Sequence, residues 1–114
     1  MHSTRPISWL NAARKTFETF PREGRRDTFN ALTIAAEGHK ADTAKPFKGV
    51  GAGVFEIAIA HRGNAYRIVY AVQLGADVIV VDAFQKKSKT GIKTPQMDVD
   101  RIRDRIRRLK DSLR

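Results

Sequence analysis

The chain has 114 residues, 41% of them apolar, no cysteine and a formal charge of +10. This suits one domain spanning 1–114 around a single core, and excludes a disulfide framework and any cysteine-based zinc site. No apolar run approaches a signal core or a membrane span, so a cytoplasmic protein without membrane contact is expected.

The charge is unevenly placed. Residues 84–114 hold 11 Lys/Arg against 4 Asp/Glu, whereas residues 1–83 hold 11 against 8. A basic surplus so concentrated favours nucleic acid or an acidic protein as partner.

In chain order, Arg5-Pro6-Ile7-Ser8 reads as a short extended entry, because a proline pushes its predecessor away from helix. Ser8 is then placed to cap a helix whose Trp9, Ala13, Phe17 and Phe20 fall on one face. Pro21 ends that pattern and opens a second helix with Phe29, Leu32, Ile34, Ala35 and Ala36 as its apolar side, stopped at Gly38. Residues 39–53 read as loop. The glycines of Gly49-Val50-Gly51-Ala52-Gly53 do not have dinucleotide-fingerprint spacing, and a strand follows them rather than a helix.

Three strands come next, over Val54–Ala60, Ala65–Gln73 and Asp77–Gln85, joined by tight-turn sequences as an antiparallel meander. With two-residue loops at Gly63-Asn64 and Gly75-Ala76, Ala60 lies opposite Arg67 and Arg67 opposite Phe84. Faces alternate along each strand. One face then carries Phe55, Ile57, Ile59, Tyr66, Ile68, Tyr70, Val72, Ile79, Val81 and Ala83, ready to pack against the helical hairpin. The other carries Glu56, Ala58, Ala60, Arg67, Val69, Ala71, Val80, Asp82, Phe84 and Lys86, with small residues at its middle and charges around them. A last helix, capped by Thr94 with Pro95 at its first position, has Val99, Ile102, Ile106, Leu109 and Leu113 as its seam and five arginines on the rest.

Metal catalysis has no support, since His2, His39 and His61 are scattered without partners at ligand spacing. No nucleophile elbow or triad stands out. Arg67, Lys86, Glu56 and Asp82 converge, with Lys48, Lys87 and Lys89 at the rim. Cations around a small hollow suit phosphoryl chemistry, because they stabilise charge on a pentacovalent phosphate. With RNA as substrate, its own 2′-OH is the nucleophile, and Glu56 or a lysine of lowered pKa is the base. From the residues alone, a structural charge cluster at a sheet edge and a solvated basic loop remain open as alternatives.

The segments Lys45-Pro46-Phe47-Lys48-Gly49-Val50, Gly53-Val54-Phe55-Glu56-Ile57, Ala65-Tyr66-Arg67-Ile68-Val69-Tyr70 and Phe84-Gln85-Lys86-Lys87-Ser88-Lys89, followed by Lys93-Thr94-Pro95, resemble the phage-derived toxin family of the RelE/ParE/HigB superfamily. The resemblance implies an α+β, RelE-like fold: an N-terminal helical hairpin on a small antiparallel meander, plus a basic C-terminal helix. It implies the toxin of a type II toxin–antitoxin pair, a metal-independent and cofactor-free endoribonuclease that cleaves mRNA, often on the translating ribosome. The implied partner is a cognate antitoxin, commonly of helix-turn-helix type. Arg67, Lys86 and Lys87 match the positions with which such toxins hold and cleave RNA, and Glu56 matches a recurrent acidic position; these four are the candidate catalytic residues, with Lys48, Arg62, Lys89 and Lys93 as candidates for RNA binding. Three features depart from the pattern. Residue 58 is Ala where many relatives are basic, Thr90-Gly91-Ile92-Lys93 is extra, and no His or Tyr follows the last helical seam. A non-catalytic relative that binds DNA gyrase, as the ParE branch does, or an inactive nucleic-acid-binding remnant, is the alternative.

Overall fold

The computed structural model describes residues 4–86 and 94–113. Its elements run β1 (Ile7–Trp9), α1 (Asn11–Phe17), α2 (Arg22–Ala36), β2 (Ala44–Pro46), β3 (Val54–His61), β4 (Asn64–Ala71), β5 (Val78–Lys86) and α3 (Gln96–Ser112). The strands form one sheet in the order β1-β5-β4-β3-β2, antiparallel except where β1 lies parallel to β5. The expected α+β meander with a helical hairpin and a basic last helix is therefore present, extended by a short strand on each edge.

Both edge strands differ from the sequence reading. Ser8 caps no helix. It sits in β1 opposite Ile79, and its hydroxyl donates to the Asp77 carboxylate. The parallel pairing requires an extended backbone there, so α1 begins only at Asn11, and no side chain caps it. Arg5 fastens the entry by donating to the carbonyls of Val72, Ala76 and Asp77. In the segment read as loop, Ala44–Pro46 pairs with Ile57–Phe55 as β2. A three-residue strand ending in proline carries no alternation from which to recognise it.

The β3–β4 turn is Arg62-Gly63, with His61 opposite Asn64 and Ala58, not Ala60, opposite Arg67. Both turn residues have positive φ, 50° and 80°, as the tight hairpin turn of this hand needs. The register moved by two, so every side chain kept its expected face. On the other side of β4 the expected pairing of Arg67 with Phe84 holds.

Beyond it the pattern breaks. Val69 pairs with Asp82 but Tyr70 with Val80, leaving Val81 as the extra residue of a bulge. Val80 therefore joins the α1/α2 face, and Ile79 and Val81 turn to the opposite one, the reverse of the sequence expectation. Two apolar layers result. Leu32, Ile57, Ile68, Tyr70 and Val80 form the first, beneath α1 and α2. Val69, Ala71, Ile79, Val81 and Phe84 form the second, covered by Ile102 and Ile106 of α3. Much of the small-residue hollow is thus filled by α3. Trp9 packs on Phe17 at 4.7 Å, but from β1 and not from the helix face that the spacing predicted, and Phe20 lies beyond the end of α1; Phe29 is 50% exposed and Leu113 is 53% exposed.

Candidate functional site

Alternation places Glu56 (β3), Arg67 (β4) and Lys86 (β5) on the face that α3 partly covers. Lys45 of β2 lies directly opposite Glu56, Arg67 is two pairs further along the β3–β4 ladder, and Lys86 is two pairs beyond that, opposite Ala65. The four side chains step diagonally across four strands, with Thr94 and Val99 beside Lys45 and Glu56.

Glu56 is the hub and is 4% exposed. Its Oε1 is 3.3 Å from Arg67 Nε and 3.9 Å from Lys45 Nζ, and its Oε2 accepts from Thr94 Oγ1 at 3.2 Å. Thr94 was expected to cap α3. It caps nothing, because Pro95 takes the N-cap position and the hydroxyl is spent on Glu56. Arg67 Nη1 donates to the Tyr66 carbonyl at 3.0 Å. Its Nε is shielded from solvent and poorly aligned for a hydrogen bond to the nearby carboxylate. Removing a charged donor from water without a good acceptor is costly, so this guanidinium is poised for a better-placed oxygen.

Lys86 is 7% exposed and makes no ion pair among the described residues. Burial first, then the Arg67 charge, push its pKa below the ordinary lysine value of 10.5; Glu56 opposes the shift and Lys45 adds to it. Lys48 is exposed beside a groove of 430 Å³ that Lys45, Phe47, Glu56, Thr94 and Val99 also line. Arg62 is exposed at the hairpin tip, near Glu23, whose carboxyl is held down first by its own backbone N–H and then by the charges of His61, Arg62 and Arg26. Lys87, Lys89 and Lys93 lie outside the described residues.

Asp82 does not join this group. It is 2% exposed beneath α3, where it receives Arg101 Nε and Arg105 Nη1, both at 2.9 Å, and the Ala83 backbone N–H. Burial raises its pKa, with both arginines opposing. Arg101 also pairs with Asp98 at 2.7 Å and lies over the Phe84 ring. These contacts clamp α3 to β5. Arg103, Arg107 and Arg108 pair with Asp100 and Asp104 on the outer face, so the five arginines noted on this helix are largely neutralised by the helix itself and by Asp82.

Lys45 and Thr94 are the site residues that the pattern missed. Lys45 needed β2 to be recognised, and Thr94 was assigned to a different task.

The family model for phage-derived Gp49-like proteins matches residues 15–107. The chain belongs to that family. Its fold is similar to that of a mutant of the E. coli toxin RelE in the free state, with a TM-score of 0.60 and 17% identity over 76% of this chain and 88% of that one. It is also similar to a chain of the toxin–antitoxin complex RelBE2 from Mycobacterium tuberculosis, with a TM-score of 0.50 and 16% identity over 77% of this chain and 98% of that one. At such identities the likeness is one of fold, and it agrees with the architecture the resemblance implied. No curated protein matches the sequence at a significant level.

Proposed function

We propose that this Gp49-like protein is the toxin of a type II toxin–antitoxin pair and that it cleaves mRNA in the cytoplasm, on the translating ribosome, without a metal. The observation that carries the reading is the placement of a buried Lys86, without an ion pair among the described residues, on the same sheet face as Arg67, with Glu56 and Lys45 completing the diagonal. A neutral lysine is a competent base near physiological pH only when burial and cations lower its pKa, and both act here. Glu56 is held by Arg67, Lys45 and Thr94, so it suits positioning better than proton abstraction.

In this reading Lys86 takes the proton of the ribose 2′-OH. The 2′-oxygen attacks phosphorus, a 2′,3′-cyclic phosphate forms, and the 5′-oxygen leaves with a proton from solvent. Arg67 and Lys45 stabilise the extra charge on the phosphoryl oxygens. Lys48 and Arg62 add outer contacts to the RNA backbone. The partner is a cognate antitoxin of helix-turn-helix type.

The test is to express the wild type and an Arg67→Ala/Lys86→Ala variant and to map RNA 5′ ends. Cuts present in the first and missing from the second support the nuclease. Growth arrest with intact mRNA and broken DNA would overturn it in favour of gyrase binding.

A further inference from the structure

Away from the Arg67–Lys86 face, on the side of the sheet covered by α1 and α2, a cleft of 240 Å³ is lined by Trp9, Arg14, Phe17, Glu18, Arg25 and Phe29. Its three aromatic rings contact one another, with Trp9 and Phe17 centroids 4.7 Å apart, Phe17 and Phe29 5.3 Å, and Trp9 and Phe29 6.2 Å. Phe29 is nevertheless 50% exposed, a large apolar surface left in water at the edge of a formed core. In the same cleft Arg25 Nε is shut off from solvent and has no hydrogen-bond acceptor among the described residues. Among the described residues neither Arg25 nor Arg14 makes an ion pair, although Glu18 lines the cleft with them.

Aromatic side chains and arginine are the residue types enriched at the centres of protein interfaces. A partly exposed guanidinium that makes no ion pair within the cleft is a ready partner for an incoming carboxylate. We propose that this cleft is the docking site for the antitoxin, which inserts an apolar side chain against Trp9, Phe17 and Phe29 and sets an adjacent Asp or Glu on Arg25. The inference rests on the toxin–antitoxin reading and adds a place to it: the partner is held on the helical side, leaving the sheet site on the other.

Self-association fits less well. A second copy of a chain carrying a charge of +10 would bring arginine to arginine.

The experiment uses the full chain and, as probe, the purified protein encoded by the adjacent reading frame, with affinity measured by titration calorimetry. Circular dichroism establishes that each variant is folded. Phe29→Ala and Arg25→Gln are each expected to weaken binding at least tenfold, Arg25→Glu more than Arg25→Gln, and Arg67→Ala by less than twofold. Equal affinity for the wild type, Phe29→Ala and Arg25→Gln would overturn the cleft while leaving the toxin–antitoxin pairing intact, as would a loss confined to Arg67→Ala. Failure of the adjacent protein to bind the wild type would remove both. Quenching of Trp9, the one tryptophan of the chain, by a short single-stranded RNA but not by the adjacent protein would reassign the cleft to nucleic acid.

Discussion

Lys45 and Glu56 face each other directly across the β2–β3 ladder, and the ammonium stops 3.9 Å from the carboxylate. The lysine side chain is 62% exposed while the glutamate is 5% exposed. The pair therefore has one end in solvent, where a polyanion arrives, and one end anchored in the protein.

Lys45→Ala should accordingly leave the fold intact and slow RNA cleavage about tenfold, equivalent to about 1.4 kcal/mol of transition-state stabilisation. Single-turnover cleavage rates, with thermal melting as the folding control, measure it. RNA affinity should also lose about one unit of its salt slope, since one phosphate contact is gone.

The pH dependence of cleavage should respond to the neighbours of Lys86 in opposite directions. If Lys86 is the base, activity rises as it loses its proton. The Lys45 charge lowers its pKa and the Glu56 charge raises it. In Lys45→Ala the rising limb of the rate profile should therefore move to higher pH, and in Glu56→Gln to lower pH. Two limbs that stay where the wild type has them would exclude Lys86 as the titrating group.

Glu56→Gln should also cost stability. It leaves the Arg67 guanidinium, whose side chain is 15% exposed, without its anion. Breaking a buried pair from one side costs about 3 kcal/mol or more; the amide still offers an oxygen, so about 2 kcal/mol is expected from denaturant titration.

Asp82 gives a prediction of unusual sign. Its pKa is raised above 3.8 in the folded protein because burial outweighs Arg101 and Arg105. A raised carboxyl pKa stabilises the fold fully below the unfolded value and loses that contribution as pH climbs through the folded one. The stability advantage of the wild type over Asp82→Asn should therefore shrink as pH rises from 3.8 upward. A gap that widens instead would mean that the two arginines prevail.

At the β3–β4 turn, Arg62 holds φ at 50° ahead of Gly63. Asn-Gly is the preferred pair for a hairpin turn with both φ values positive. Arg62→Asn should raise stability by about 0.5 kcal/mol, seen as a higher denaturation midpoint with an unchanged slope.

Legibility in the sequence followed local signal. The helical hairpin, the three central strands and the amphipathic last helix announce themselves through periodicity and turn residues. Glu56, Arg67 and Lys86 could be placed on one face because alternation survives a register error of two. β1 and β2 escaped because three residues are too few to show a period. Thr94 was misassigned because a hydroxyl before a proline looks like a cap, whereas its partner is 38 positions away in sequence. Phe29 was counted as core because spacing tells which side of a helix a residue occupies, not how far the neighbouring layer reaches.

The unpaired Val81 has a consequence for how this strand tolerates change. It sets the two halves of β5 out of phase: Val78 and Val80 serve the helical hairpin, while Asp82, Phe84 and Lys86 look the other way. Smooth the bulge out at constant length, with the parallel contact to β1 held fixed, and Lys86 would be delivered beneath α1 and α2 with no letter of the sequence altered. One backbone irregularity, more than the identity of any side chain, decides on which surface this lysine emerges.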